Sequence, residues 1–364
     1  MNKKNLTIII SLFFVLLIIS LLVVKKENST WARGHFANKT PVIKDFPVNK
    51  IAKIALYDSK NRVELLQKDN KWIVFNKYTY PADFQKIRKF ILKIKNINIA
   101  QKVIVKQDKY KELKLISPKE AKQQSDAGTV LEVYDNMGNK IAGIIFGKYH
   151  YAQEKETPTM QEAVKDGRFL KLITSSNPPV LVSDPFLDAA PLPSKWLDRT
   201  FVDLKKIKSA ERLDEQGKAL WKIYRKDEKS PFTIAGMHIG DMPKPQKMFE
   251  ITTAFRKFDF NNILPADTKT EITGLDKPET FIYESCTGGK YKFEISMNNK
   301  KAYLKMTVLP TQKDKKSNLT NDTISDKFFE KYIYEIPRYY AKNLLIPRDE
   351  LVSQEQMPTS IMGN

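Results

Sequence analysis

The chain has 364 residues, 41% apolar and 11% aromatic, enough to bury a core and to exclude global disorder. Its formal charge of +20, from 62 basic and 42 acidic residues, suits anionic partners such as lipid headgroups, cell-wall polymers or nucleic acid. The lysines are scattered among apolar residues, which favours a charge spread over ordinary solvated faces, and the single cysteine, Cys286, excludes both an intramolecular disulfide and a lipoprotein cysteine near the start.

The first element is the uncharged run LTIIISLFFVLLIISLLVV, from Leu6 to Val24. Its 19 residues would make a helix of roughly 28 Å, about the thickness of a bilayer's hydrocarbon core. It is longer than the apolar part of a cleavable signal, and Lys25-Lys26-Glu27-Asn28 follows without a small-x-small site. The run therefore predicts an uncleaved membrane anchor through Leu6, Phe13, Leu17 and Val24, in contact with lipid. Basic residues stand on both flanks, so the positive-inside rule nearly balances. The short, signal-like leading tail orients the body to the exported side.

The predicted organisation is an anchor at 1–26, a tether at 27–50, two repeats at 51–200 and 201–352, and a tail at 353–364. In the first repeat, Ile54 and Leu56, Val63 and Leu65, and Ile73 and Phe75 recur at strand spacing. Asp83 is placed to cap a helix whose stripe is Phe84, Ile87, Ile91 and Ile94. The loop LKLISP follows, and then TVLEVYD and IAGIIFG flank a turn at Asn136 to Asn139. Val180 to Val182 reads as a strand before a short helix from Phe186 to Ala190.

The same order returns in the second repeat. Strands are predicted over Ile207 to Ile223 and at Phe232 to Ile234, and a helix over Gln246 to Phe258. ITGLDKP stands where LKLISP stood, FIYES and YKFEIS flank Thr287-Gly288-Gly289, and Tyr332 to Ile336 precedes a helix from Tyr339 to Leu345. Ser194 to Arg199 would bridge the repeats. The expected fold class is α+β: an N-terminal transmembrane helix, then two repeated halves, each a mainly antiparallel sheet with packed helices.

The anchor, YPADFQKIRKFILKIKNI, GRFLKL, VLVSDPFLD…SKWLDRTFVDL and GLDKP together carry a resemblance. The chain is similar to the bacterial family called domain of unknown function 4340, over most of its length after the anchor. It departs from the glycine-leucine loop in the first repeat, which has Leu115-Ile116-Ser117-Pro118. The resemblance implies a single-pass protein of the bacterial inner membrane with its body on the periplasmic side. It also implies an accessory role beside ABC-type transporter components of the gliding-motility kind, and no reaction.

No catalytic signature emerges. His35, His150 and His238 lack a second ligand at metal spacing, and no G-x-S-x-G or H-E-x-x-H occurs. Gly143 to Lys148 lacks phosphate-loop spacing and reads as a buried strand; Gly288-Gly289 reads as a hairpin turn. Asp83, Asp184, Asp198 and Asp267 suit caps and loops as well as acid–base work, Cys286 suits packing, and Trp72 and Trp196 read as core anchors. The sequons at Asn28, Asn38, Asn318 and Asn321 matter only in a glycosylating host. No cofactor, metal or catalytic residue is assigned. The expectation is a non-enzymatic accessory or scaffold protein with protein partners in a membrane complex. The alternative is an extracytoplasmic enzyme or binder acting on an anionic cell-envelope polymer, and nucleic acid is disfavoured.

Overall fold

The computed structural model describes residues 40–152, 164–256, 258–310 and 327–354. Two compact units meet in sequence between Trp196 and Leu197.

Alternating apolar residues build the first unit as one antiparallel sheet. Its strands are β1 (Lys53–Tyr57), β2 (Arg62–Lys68), β3 (Lys71–Val74), β4 (Tyr80–Pro81), β5 (Gln101–Lys102), β6 (Thr129–Tyr134), β7 (Lys140–Tyr151), β8 (Lys165–Leu172) and β9 (Val180–Val182). They lie in the order β4-β3-β2-β1-β6-β7-β8-β9-β5. Opposed residues share a face. The register pairs Ile54 with Leu65 and Val133, and Leu56 with Val63 and Leu131, and these six are buried together. The phase of β3 differs from expectation. Val74 pairs with Leu65, so Trp72 and Val74 face the core while Phe75 is 52% exposed. A one-residue shift in a period of two exchanges the faces of every side chain.

Helix α1 (Phe84–Lys95) follows Asp83, whose carboxylate accepts the Lys86 N–H at 2.9 Å as an N-cap. It buries Ile87, Phe90, Ile91 and Ile94, whereas Phe84, expected on that stripe, is exposed in its first turn. Residues 40–50, expected in the tether, belong to the unit: Val42 and Phe46 are buried, and Val42 N–H donates to Ile97 O at 3.0 Å.

Among the described residues the opposite sheet face is covered at one end only. Tyr57, Val130 and Ile145 form a small buried cluster there, with the Lys119 ammonium 5.4 Å from the Tyr57 ring centre. The 113–118 segment lies against β7 at Gly147, where Lys148 N–H donates to Leu113 O at 2.8 Å. Its Lys114 adopts φ +53° just before buried Leu115, as Gly274 adopts φ +72° before Leu275 in the second unit. The first repeat thus keeps the backbone bend without the glycine that adopts it most readily.

The second unit comprises β10 (Ile207–Leu213), β11 (Ala219–Tyr224), β12 (Thr233–Ile234), β13 (Asp241–Pro243), α2 (Pro245–Thr253), β14 (Asn262–Pro265), α3 (Thr270–Thr273), β15 (Glu279–Ser285), β16 (Lys290–Asn298), β17 (Lys301–Leu309), β18 (Tyr332–Ile336), α4 (Arg338–Leu344) and β19 (Val352–Gln354). Its main sheet runs β12-β11-β10-β15-β16-β17-β18-β14, while β13 pairs separately with β19. Strands β10, β11 and β12 occupy the places of β1, β2 and β3; β15 to β18 occupy those of β6 to β9, and β14 that of β5. The core is aromatic: Phe255 stacks on Phe293 at 3.7 Å and meets Tyr283 edge-on at 5.0 Å. Helix α2 stops five residues before the predicted Phe258: its end tightens into i→i−3 bonds, Ala254 N–H to Ile251 O and Arg256 N–H to Thr253 O, and the Thr252 and Thr253 hydroxyls bond back to Met248 O and Phe249 O. The helix buries Met248 and Ile251 and leaves Phe249 66% exposed, and Phe255 and Phe258 reach the core from beyond the helix.

Three expectations are corrected. The fold class is not α+β with a transmembrane helix; the described residues form mostly two large antiparallel sheets with few helices. The helical periodicities are real but short. Residues 186–190, expected as a helix, are turns and coil, with Phe186 at φ +48°. The anchor positions Leu6, Phe13, Leu17 and Val24 lie outside the described residues, as do His35 and the sequons at Asn28, Asn38, Asn318 and Asn321. Among the described residues no helix is long and apolar enough to cross a membrane. The longest, α1, has 12 residues and five basic side chains. At 1.5 Å per residue it reaches about 18 Å, well short of a hydrocarbon core near 30 Å. The single-pass inner-membrane placement is therefore unsupported and is set aside.

Candidate functional site

Two places in the first unit gather polar side chains around a cavity. One lies at the end of α1, where the Lys93 ammonium contacts Asp184 Oδ1 at 3.1 Å and Asp188 Oδ1 at 3.0 Å. It also stands 4.9 Å from the centre of the Phe186 ring. Asp184 Oδ1 accepts the Phe186 N–H at 2.7 Å, and the bulky, fully buried Phe186 holds a left-handed backbone. Buried Arg168 stabilises that bend from behind, donating to Phe186 O and Gly147 O at 3.1 Å each, with its guanidinium 4.5 Å from the Tyr149 ring centre. A cavity of about 320 Å³ opens beside the cluster, lined in part by Asn96, Asn98 and Ser183.

The chemistry of this cluster is restrictive. Burial alone would lower the Lys93 pKa, but hydrogen bonds to Asp188 and Asp184 outweigh it and raise the value. Lys93 stays a cation and cannot serve as a base or nucleophile at neutral pH. The two carboxylates are engaged by the same ammonium. The arrangement is a clasp for the loop at residues 183–189 and not an acid–base pair.

The second place is the uncovered end of the opposite sheet face. Cross-strand register sets Lys53 beside Leu66 and Tyr134, and Leu66 beside Ile73. Phe75 N–H donates to Glu64 O at 2.8 Å, which extends the ladder and leaves the ring exposed. These residues line an open groove of about 660 Å³, with Gln67, Lys68, Thr79 and Asn136 around it.

Ion pairs frame the groove. Glu132, whose side chain is nearly buried, accepts from Lys140 Nζ at 2.6 Å and from the Tyr134 hydroxyl at 2.9 Å. Glu64 holds Lys53 at 3.2 Å and Arg62 at 2.6 Å. Burial and donation to Glu132 push the Tyr134 pKa up to about 12, so the phenol remains a donor. Burial alone would raise the Glu132 pKa, but the Lys140 and Tyr134 hydrogen bonds win and hold it below its ordinary 4.5. A depressed folded-state value stabilises the fold above the unfolded pKa, and that contribution disappears as pH falls through the folded value. Lys140→Met should therefore cost about 1–2 kcal/mol at pH 7, with the deficit closing as Glu132 protonates below pH 4.5. Urea unfolding of both proteins across that range checks it; a constant deficit would show that Lys140 acts through packing alone.

Other sequence-derived candidates fall into structural roles. Asp198 accepts the Thr200 N–H, and Asp267 lies in an exposed turn. His150 pairs with Asp166 at 2.7 Å, and the His238 N–H is held by Asp241 at 2.9 Å. Cys286 is half-buried, 3.8 Å from Arg225 Nη2. Trp72 and Trp196 are both core residues. Gly143 and Gly147 lie within β7. Among the described residues no group of three or more His, Cys, Asp or Glu side chains could hold a metal.

No family model, curated protein or solved structure matches the chain.

Proposed function

We propose that the chain is a non-catalytic accessory or scaffold protein that docks protein partners on the open face of its first sheet. The transporter-type complex implied by the family resemblance is the proposed setting. The observation carrying this reading is the groove at Phe75, Ile73, Leu66 and Tyr134. Among the described residues it is an open apolar floor with a polar rim, where Lys53 is held by Glu64 and Tyr134 by Glu132. Exposed apolar surface rimmed by polar groups is the usual form of a docking site. The Lys93 clasp supports the non-catalytic part, because its cavity-lining carboxylate is neutralised by a permanent cation.

The test is a photo-crosslinking amino acid placed at Phe75 in the full chain inside cells. One recurrent protein adduct, reduced at least tenfold by Ile73→Glu in the groove floor, is expected (roughly 1.4 kcal/mol of lost affinity). Adducts that form at exposed Met137 but never at position 75 would overturn the assignment of this face.

A further inference from the structure

The hairpin-like excursion after β5 carries the sequence Lys102-Val103-Ile104-Val105-Lys106. One foot is fixed to the sheet and the other runs into a local turn. Val103 N–H donates to Pro179 O at 2.8 Å at the sheet edge. On the far side, Lys109 and Tyr110 N–H groups donate to Lys106 O and Gln107 O at 3.0 Å, closing a 3-10 turn. Between them the apex projects: Ile104 is 92% exposed and Val105 38% exposed. Two adjacent β-branched side chains held out in water on a pinned loop are not part of any core.

The sequence that follows them is cationic. Residues 102–122 hold seven lysines, all exposed, against Asp108, Glu112 and Glu120. Among the described residues only Lys109 of the seven is in an ion pair, with Glu112 at 2.7 Å. An apolar tip flanked by Lys102 and Lys106 matches the order of a bilayer containing anionic lipid, whose charged headgroups cover an apolar layer. The apex has no aromatic ring on which bases could stack, which argues against nucleic acid.

We propose that this loop is a lipid-insertion tip. Ile104 and Val105 enter the interfacial layer of a bilayer containing anionic lipid, while Lys102 and Lys106 engage the headgroups. The site is independent of the groove at Phe75 and of the protein partners proposed for it.

The test uses the full chain with Cys286→Ser and a nitroxide on Ile104→Cys, mixed with vesicles of phosphatidylcholine plus phosphatidylglycerol or of phosphatidylcholine alone. The apolar run at Leu6 to Val24 is common to every sample, so a change confined to position 104 reports the loop. Expected is a label that gains oxygen access and loses access to a water-soluble nickel chelate in the anionic vesicles only. The added pair Lys102→Glu and Lys106→Glu should weaken that vesicle dependence by at least about tenfold. A label on Met137→Cys, exposed in the β6–β7 turn, should stay in water throughout. A label at 104 that remains chelate-accessible in anionic vesicles would overturn the proposal, as would equal immersion with and without anionic lipid.

Discussion

Replacing Trp196 by alanine is expected to destabilise the protein by about 3–5 kcal/mol. The indole is fully buried, and its N–H donates to Ala190 O at 2.8 Å. Phe90 of α1 meets it edge-on at 5.4 Å, and the Lys86 ammonium lies 5.2 Å from the ring centre. Its own carbonyl accepts the N–H of Asp83, the helix cap, at 2.9 Å. The side chain thus joins the helix to the segment that closes the first unit, and removing it leaves a void that rigid neighbours fill only in part. Trp196→Phe separates the components. It keeps most of the ring packing and leaves Ala190 O without its donor, for a cost of about 1–2 kcal/mol. Chemical unfolding of the three proteins measures both values. A loss under about 1 kcal/mol for Trp196→Ala would show that the indole does not anchor the helix.

Gly147→Ala carries the second large effect, about 3 kcal/mol or outright failure to fold. A Cβ at this position would overlap Leu113 O and come within 2.7 Å of Leu115 Cδ2. Leu113 O cannot retreat without breaking its bond from Lys148 N–H, and buried Leu115 is fixed by a backbone bend at Lys114. Gly138→Ala is the matched control for glycine loss. It has open space around it and pays only for its φ of +84°, roughly 1 kcal/mol. Thermal unfolding ranks the pair, and equal losses would refute the close-approach explanation for Gly147.

Gly147 shows what was legible and what was not. In sequence, Gly143 to Lys148 could be rejected as a phosphate loop from its spacing alone. Its positive role required knowing that the segment at 113–115 crosses β7 there, some thirty residues away in the chain. The polar clusters pose the same difficulty. Lys93 and Asp188 are 95 positions apart, and Arg168 reaches Phe186 O and Gly147 O across two connections. Asp184 was visible as a loop aspartate, but neither its lysine nor the left-handed Phe186 beside it leaves a local pattern.

Period-two alternation, the Asp83 cap and the turn residues were local signals, and they located most strands and the start of α1. They could also be read twice along the chain, and one strand order recurs in both sheets. Local signals failed where two faces compete for one strand. The choice between Trp72 and Val74 or Ile73 and Phe75 as the buried set depends on which residue of β3 opposes Leu65. They failed again where α2 ends, because the apolar spacing runs on to Phe255 while the backbone leaves the helix after Thr253.

By itself the sequence determined strand-rich composition, duplicated order, excess positive charge and the apolar run at its start, since each depends on residues close together in the chain. Tertiary structure alone decided that one sheet face is covered by the 113–118 segment at one end and left as a groove at the other. It also decided that the cavity-lining carboxylate at Lys93 is neutralised and that Ile104 stands in solvent. The physical reason is that burial and charge pairing are properties of neighbours in space, and in an antiparallel sheet those neighbours come from strands far apart in sequence.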